Sequence, residues 1–329
     1  VERILSLKPK RVLEIGCGTG MILYRVAPEC EAYTGVDFSQ SALELIDQQT
    51  KKMGMNNVSL VQSAADALEL GEQAAFDLVI VNSVAQYFPS SEYLVQVLSN
   101  AAALLTGDGH IFVGDVRYSS LKSTFHAAIE LAKAPASLTL PELKDRVAEH
   151  VENDGELLIH TDFFGNLPKK ISSLSHVNVQ LKRGHHVNEM SGYRYDVILS
   201  QNESNKVLSE EDFKAIAYSG SLEAVQQALE GERALVIRDI PNARLVKDIQ
   251  SQHMLQNGDF ALVSDIHNAV QNQLTKSTTG LDPEDVYQLD PAYQIELNWA
   301  VSGNKDCFDA YFYQGQVNSL SLKCKHEGQ

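Results

Sequence analysis

Three kinds of feature are absent or scarce in this chain of 329 residues. No stretch approaches the run of about 20 apolar residues that a membrane-spanning helix needs, and no secretory leader opens the sequence. Basic residues are few, since 27 Lys and Arg stand against 43 Asp and Glu, and the formal net charge is −16. Because no long apolar run is present, a membrane protein is not expected. Nucleic-acid binding, which needs a basic face, is disfavoured, although the segment "QLKRGHH" leaves a local basic patch open.

Cysteine is also scarce. The four cysteines (Cys17, Cys30, Cys307 and Cys324) show no paired metal-ligand spacing. The histidines lack a compact set of cysteine or carboxylate partners, so we expect no metal site. This pattern fits a reduced, cytoplasmic protein. Because Val1 already lies inside the helical pattern "VERILSLK", we expect the chain to be a segment of a longer one.

The segment "RVLEIGCGTG" is the most informative stretch that is present. A strand-like run leads into three alternate glycines, Gly16, Gly18 and Gly20, and then into a helical pattern. Glycines let a ligand approach the main chain closely, and such a loop before a helix forms a nucleotide-type pocket. The dinucleotide fingerprint would need its third glycine at Met21, so NAD is not expected. Glu14 followed by G-x-G-x-G resembles the first motif of class I methyltransferases, which bind S-adenosylmethionine.

Strand and helix signals alternate through the first half, which predicts a parallel sheet with helices on both faces. A helix over 39–54 is predicted to be capped by Ser39 and closed by Gly54. Two later segments, "HVNVQLKR" and "YRYDVILS", predict the antiparallel pair that ends a class I methyltransferase sheet. The other predicted strands are 11–15, 31–37, 58–62, 76–82 and 110–115, and the other predicted helices include 91–109, 120–134 and 141–151.

The predicted fold class is therefore α/β: a Rossmann-like, doubly wound, mostly parallel sheet with an antiparallel last strand, plus a smaller C-terminal α+β region. We place the methyltransferase core at 1–200 and the C-terminal subdomain at 201–329. The polar segment "QNESNKVLSEED" reads as a linker between them. The second region shows no catalytic cluster, so a packing or docking role is expected.

Acidic and polar residues follow the predicted strands and should meet at one edge of the sheet. Asp37 can accept both ribose hydroxyls there, and its alternative role as a helix cap is better filled by Ser39. Asp66 can accept the adenine amino group or cap "ALEL". Glu14 can orient the glycine loop or bind the amino group of the ligand. The complete predicted donor-binding set is Glu14, Gly16, Gly18, Gly20, Asp37, Phe38, Ala65, Asp66, Asn82 and Ser83.

Four further segments carry a closer resemblance: "VIVNSVAQYFPS", "IFVGDVR" leading to "FHAAIELAKA", "LKRGHHVNE" with "YRYDVIL", and "IPNARL" with "GLDPEDVYQL". Together they resemble the methyltransferase domains embedded in nonribosomal peptide synthetases and modular polyketide synthases. The resemblance implies S-adenosylmethionine as donor and S-adenosylhomocysteine as product. It also implies an acyl or peptidyl carrier protein with a phosphopantetheine-tethered substrate as partner, and further domains of the same megasynthase. The helical lid usual upstream of the first strand is mostly missing here.

The acceptor atom is assigned from a departure within the resemblance. N-methylating members commonly read His-Asn-Glu-Leu before Arg-Phe-Arg-Tyr-Asp, whereas here Val187 precedes Asn188 and Glu189. We therefore favour O-methylation of a β-hydroxyl on a polyketide intermediate. N-methylation of a carrier-bound aminoacyl group is the alternative.

An alcohol is a poor nucleophile and benefits from a general base. The predicted base is His126 with Glu189 as its carboxylate partner, and His186 is the reserve. Asp115 completes the predicted catalytic set, and Glu130 shares a helix face with His126. A structural role for each histidine stays open.

Two other functions stay open at this stage. The first is a free-standing small-molecule methyltransferase. The second is a related fold that has lost catalysis and serves as an interaction platform. The intact glycine loop and the acidic strand ends argue against the second of these.

Overall fold

The main sheet is built from seven strands of the first two hundred residues. The computed structural model describes residues 1–68, 70, 75–201, 207–274, 280–315 and 319–320. Within them, a seven-stranded sheet has the order β3-β2-β1-β4-β5-β7-β6. β7 runs antiparallel to both of its neighbours, and the other pairs are parallel. The predicted antiparallel last strand is confirmed. The strands are β1 Arg11–Ile15, β2 Ala32–Asp37, β3 Val58–Gln62, β4 Phe76–Asn82, β5 Leu105–Arg117, β6 His176–Leu181 and β7 Arg194–Ser200.

Helices connect these strands and cover both faces of the sheet. They are α1 Glu2–Ser6, α2 Leu23–Val26, α3 Gln40–Met53, α4 Ser91–Ala103, α5 Lys122–Lys133, α6 Leu140–Glu152, α7 Thr161–Gly165, α8 Leu167–Lys170 and α9 Glu189–Tyr193. The predicted limits of α3 are confirmed. Ser39 Oγ accepts the N–H of Ala42 at 3.3 Å, and Gly54 ends the helix with φ +68°.

One predicted boundary is wrong for a local reason. The helix over 91–109 ends at Ala103, because Leu105 pairs with Phe76 and lengthens β5 at its start. Pairing with a buried strand here outweighs helix propensity. The helix after the glycine loop is a single turn, and a short 3₁₀ turn that includes Pro28 follows it.

The C-terminal region forms a second sheet of order β11-β12-β10-β9. Its strands are β9 Lys214–Ala217, β10 Ala234–Pro241, β11 Gln294–Trp299 and β12 Cys307–Tyr313, and a short ladder joins β8 Val207–Leu208 to β13 Ser319–Leu320. Its helices are α10 Leu222–Ala228, α11 Val246–Asn257, α12 Val263–Leu274 and α13 Pro283–Tyr287. No helix in the described part of the chain is long and apolar enough to cross a membrane.

The two regions share buried apolar contacts. One hydrophobic cluster runs from Leu13 and Val81 in the first sheet to Phe308 and Phe312 in the second. β7 ends at Ser200, where we predicted the boundary, while residues 202–206 of the predicted linker lie outside the described residues. The division at 200/201 stays a prediction. The shared core indicates that the C-terminal region packs tightly on the first.

Candidate active site

A cavity of about 570 Å³ opens where the parallel strands end. Loops after β1, β2, β3 and β4 all contribute to it, as expected at the carboxyl edge of an open α/β sheet. The lining is mostly apolar, with a few polar groups. The lining residues are Ile15, Gly16, Gly18, Asp37, Phe38, Ser63, Ala64, Ala65, Ser83, Val84, Tyr87, Phe88, Pro89 and Tyr93.

The glycine loop lies tightly between β2 and β4. Gly16 has φ +76°, and a Cβ there would come within 2.4 Å of a methyl carbon of Val84. Gly18 also has a positive φ, +52°, but a Cβ there would meet no atom within 4 Å. The first glycine therefore permits close packing, and the second leaves main chain open beside the cavity.

Asp37 is organised by the loop around it. Its Oδ2 accepts the N–H of Gly18 at 2.8 Å, and its Oδ1 accepts the N–H of Ser39 at 2.9 Å. The residue is buried, yet its carboxylate lines the cavity. A carboxylate has about four acceptor positions, so two remain for a pair of ligand hydroxyls. This geometry fits the predicted ribose contact, which stays a prediction.

Glu14 lies deeper than a ligand contact would require. It is only 3% exposed, does not line the cavity, and its Oε2 accepts the hydroxyl of Tyr33 at 2.7 Å. Burial raises the pKa of Glu14 to about 8, and the Tyr33 hydrogen bond offsets only part of that effect. Of the two predicted roles, the burial favours orientation of the loop.

Asp66 lies at the rim. Its exposed carboxylate accepts the hydroxyl of Tyr93 at 2.7 Å, and Tyr93 itself lines the cavity. Ala67, Leu68 and Leu70, which follow Asp66, are not helical, which argues against the alternative role as an N-cap, while residue 69 of that segment lies outside the described residues. The contact of Asp66 with adenine stays a prediction. Phe38 and Ala65 line the cavity as part of the predicted set, and Phe38 exposes 79% of its surface.

Several lining residues were missed from the sequence. Ser63 and Ala64 follow β3, and the stretch from Val84 to Pro89 follows β4. The aromatic, proline-containing segment "VAQYFPS" directly after a buried strand was the available signal. It forms a 3₁₀ turn at Ala85–Tyr87 that carries Tyr87 to the cavity.

Asn82, Ser83 and Asp115 are hydrogen-bonded to one another, and of these three residues Ser83 lines the cavity. Ser83 donates its hydroxyl proton to Asp115 Oδ2, and Asn82 Nδ2 donates to Ser83 Oγ at 3.0 Å. Ser83 and Asp115 have φ values of +57° and +61°, which residues other than glycine rarely adopt and which concentrate at functional sites. The structure therefore brings together two residues of the predicted donor-binding set, Asn82 and Ser83, and one of the predicted catalytic set, Asp115.

Asp115 is ionised despite its burial. Burial by itself would raise its pKa, but Lys182, whose Nζ lies 2.5 Å from Oδ1, outweighs that effect together with the Ser83 hydroxyl. The net shift of the Asp115 pKa is downward. The sequence did not indicate Lys182 as its partner.

The predicted pairing of His126 with Glu189 is wrong. His126 Nε2 lies 2.8 Å from Asp154 Oδ2, and the same carboxylate accepts two N–H groups of Arg117, both at 3.0 Å. Glu189 instead binds Arg194. Burial favours the neutral acid at Asp154, but hydrogen bonds from Arg117 and His126 lower its pKa to about 2. Asp154 was missed because the loop that carries it reaches His126 only through tertiary packing.

The other predicted histidines and Glu130 lie outside the cavity lining. His185 and His186 are exposed in the loop after β6. Glu130 is buried and pairs with His150 at 3.0 Å rather than with His126. None of the described histidines lines the cavity. The described residues also contain no cluster of three or more His, Cys, Asp or Glu able to hold a metal ion.

Comparison with known proteins places this geometry in a family. A family profile described as "Methyltransferase domain" matches residues 7–160. Chondramide synthase cmdD from Chondromyces crocatus is 35% identical over 319 residues, and the match covers 94% of this chain but 8% of that protein. Nonribosomal peptide synthetase asqK from Emericella nidulans is 28% identical over 333 residues, covering 95% of this chain and 13% of that protein.

Solved structures of methyltransferases also match. The N-methyltransferase NodS from Bradyrhizobium japonicum WM9, in complex with S-adenosyl-L-homocysteine, is 17% identical. That match covers 61% of this chain and 85% of NodS, with a TM-score of 0.43. The chain spans about a tenth of the two synthetases named above, and the predicted resemblance to synthetase-embedded domains is confirmed for nonribosomal peptide synthetases. Residues 7–160 thus match a methyltransferase domain, and the seven-stranded sheet has the Rossmann-like fold of the class I S-adenosylmethionine-dependent methyltransferases.

Proposed function

We propose that this chain is the methyltransferase domain of a nonribosomal-peptide assembly line. Its substrate is an aminoacyl group on the phosphopantetheine arm of a carrier protein, and the methyl group goes to the amino nitrogen. The synthetase relatives support this proposal because each matches more than 90% of the chain within a much longer protein. The carrier protein and neighbouring synthetase domains are the proposed partners.

The cavity suits S-adenosylmethionine through its donor set. Asp37 would hold the ribose hydroxyls, and the faces of Phe38 and Tyr87 would hold the adenine. The open main chain at Gly18 would admit the amino-acid end, which needs no phosphate site. When bound, S-adenosylmethionine supplies a methyl group on an electrophilic sulfonium. The protein's part is to align the acceptor with it and to exclude water.

One observation favours nitrogen as the acceptor: Ser83 lines the cavity with Asp115 hydrogen-bonded behind it, and none of the described histidines lines the cavity. A neutral amine attacks through its lone pair and can lose its proton afterwards. An alcohol must lose its proton as the new bond forms. Because Ser83 gives its own proton to Asp115 and accepts one hydrogen bond from Asn82, its oxygen has one further acceptor position for an N–H of the amine. Ser83 would thereby orient the nitrogen lone pair.

O-methylation of a β-hydroxyl is the second candidate, and a specific contact favours it. Asp115 is ionised and reaches the cavity through Ser83, so a hydroxyl proton could pass to Ser83 as the Ser83 proton moves to Asp115. The replacement of the usual histidine by Val187 also favours this reading.

A matched set of acceptors separates the two candidates, N-methylation and O-methylation. A carrier protein is loaded with an α-aminoacyl group or with the α- or β-hydroxyacyl analogue of the same side chain, and the intact carrier is weighed after incubation with S-adenosylmethionine. We expect one methyl group on the aminoacyl carrier and none on the hydroxyacyl carriers. Methylation of a hydroxyacyl carrier alone would transfer the assignment to oxygen. Binding of S-adenosylmethionine without methylation of any carrier would contradict the carrier-bound substrate.

A further inference from the structure

The contacts behind Asp115 lead into the C-terminal region. We propose that Lys182 and Arg244 are positioning residues through which that region holds the Asp115–Ser83 pair at the cavity wall. This inference rests on the proposed use of the cavity for methyl transfer and holds for either acceptor atom.

Lys182 is the first step of this path. It follows β6, its side chain is 19% exposed, and its Nζ lies 2.5 Å from Asp115 Oδ1 and 2.8 Å from Asp196 Oδ1. Asp196 also accepts the main-chain N–H of Asp115 at 3.1 Å and binds Arg3 at 2.6 Å through its other oxygen. The side chain and the main chain of Asp115 are therefore both held from β6 and β7.

Arg244 is the second step. It lies before α11, its side chain has 0% exposure, and it donates to the carbonyl oxygen of Lys182 at 2.8 Å. It also donates to the carbonyl of Gly184 at 2.6 Å and, more weakly, to that of Ser191 at 3.4 Å. Asp282 accepts its remaining hydrogen bonds at 2.9 and 3.2 Å. One buried arginine thus joins both ends of the loop over 182–191.

This arrangement explains two features that the donor cavity does not require. The first is the strained main chain at Ser83 and Asp115, which persists only where surrounding contacts determine the conformation. The second is a buried guanidinium that donates three of its hydrogen bonds to carbonyl groups of the loop. A single buried ion pair would need only Asp282. The three carbonyl contacts instead indicate that Arg244 fixes the position of Lys182.

The charged groups around Asp115 influence its pKa in a way that packing alone would not. They are Lys182, Asp196 and Arg194, and Asp196 is in turn paired with Arg3. Burial acts to raise the pKa of Asp115, and Lys182 is the largest opposing influence. Removing the lysine charge should therefore raise the pKa of Asp115.

The test compares Lys182→Met and Arg244→Met with a matched control, Arg238→Met. Arg238 is another arginine of the C-terminal region, and it pairs with Asp309 at 2.7 Å without contacting the loop over 182–191. In the full chain, the carboxyl titration of Asp115 is followed by NMR with ¹³C-labelled aspartate and an Asp115→Asn reference. Methyl transfer to an aminoacyl pantetheine thioester is measured across pH at saturating S-adenosylmethionine.

We expect Lys182→Met to raise the pKa of Asp115 and to move the acid limb of kcat to higher pH. Arg244→Met should lower kcat by about a hundredfold, because small displacements of an aligned group have effects of that size. Arg238→Met should leave the titration and kcat near wild type. Lys182→Arg, which keeps the charge, should restore the wild-type titration of Asp115.

An unchanged titration in Lys182→Met would overturn the proposal, as would equal losses of kcat in Arg244→Met and Arg238→Met. Failure of the proposed function is distinguishable, because the wild-type chain would then bind no S-adenosylmethionine in calorimetry or would bind it and methylate no acceptor. The NMR arm needs no acceptor and decides the role of Lys182 by itself.

Discussion

The two walls of the cavity are built in different ways. The donor wall, formed by Gly16, Gly18, Asp37, Phe38 and Ala65, offers main-chain groups, one carboxylate and an exposed aromatic ring. The acceptor wall, formed by Ser83 with Asp115 behind it, is backed by the ion pairs of Lys182 with Asp115 and Asp196. None of the ion pairs found in the described residues involves Asp37 or Glu14.

This difference indicates that the two walls have different functions. Shape complementarity and a few hydrogen bonds suffice to bind S-adenosylmethionine, because its sulfonium is already electrophilic. The wall that would face the acceptor atom has to be fixed more precisely, and buried charge pairs with hydrogen-bonded partners provide that fixity. Changes to the donor wall should alter donor affinity, and changes to the acceptor wall should alter the rate of methyl transfer.

The largest donor-wall effect is expected from Asp37→Ala. It removes a carboxylate that would make charge-assisted hydrogen bonds worth about 1.5–3 kcal/mol. The affinity for S-adenosylmethionine should fall at least about tenfold, since 1.4 kcal/mol corresponds to that factor. Calorimetry measures this affinity directly. An unchanged affinity would show that Asp37 does not bind the donor.

A smaller effect is expected from Gly18→Ala, with Gly54→Ala as its matched control. Both glycines have positive φ and open space at the Cβ position, so both variants should lose about 1 kcal/mol of folding stability. Gly54 ends α3 and does not line the cavity. Only Gly18→Ala should weaken donor binding. Equal donor affinities in the two variants would contradict the proposed contact of the loop with the donor.

His126→Ala tests the earlier prediction of a catalytic base. His126 gives one hydrogen bond to Asp154, which keeps both bonds from Arg117. We expect a loss of about 1–2 kcal/mol in folding stability and a transfer rate near wild type. Chemical denaturation and single-turnover rates give the two values. A hundredfold slower transfer in a stable variant would restore His126 as a base.

Glu14→Gln should change the pH dependence of stability. The folded-state pKa of Glu14 is about 8, above the ordinary value of 4.5, so the folded state favours the neutral acid. That contribution is complete below about pH 4.5 and is lost as the pH rises through 8. The variant should match wild type most closely at pH 5 and become relatively more stable toward pH 9. Parallel stability curves for the two proteins would show that Glu14 is ionised throughout.

The donor wall was largely predictable from the sequence because its residues follow strands and loops that local patterns identify. Gly16, Gly18 and Asp37 lie within one strand–loop–helix unit and the next strand. The acceptor side depends on contacts that local patterns do not contain. Lys182 lies 67 residues from Asp115, Arg244 lies 62 residues from Lys182, and His126 lies 28 residues from Asp154.

The alternation of strands and helices and the antiparallel last strand were predictable for the same reason, and the partners of buried charges were not. A histidine and a glutamate on neighbouring elements suggested a base and its partner. Tertiary packing instead gave each a nearer ion, Asp154 for His126 and Arg194 for Glu189. Charge pairing in a folded chain follows distance and burial, which residue type alone does not specify.

The most direct test of this difference between the two walls is the single-turnover rate of Asp115→Asn at saturating S-adenosylmethionine, with Asp37→Ala beside it. The account predicts that Asp37→Ala regains nearly the wild-type rate once the donor is saturating. Asp115→Asn should bind the donor normally and stay slower by about a hundredfold, because the Ser83 hydroxyl is no longer aligned. A wild-type rate in Asp115→Asn, or a rate in Asp37→Ala that saturating donor does not restore, would contradict the account.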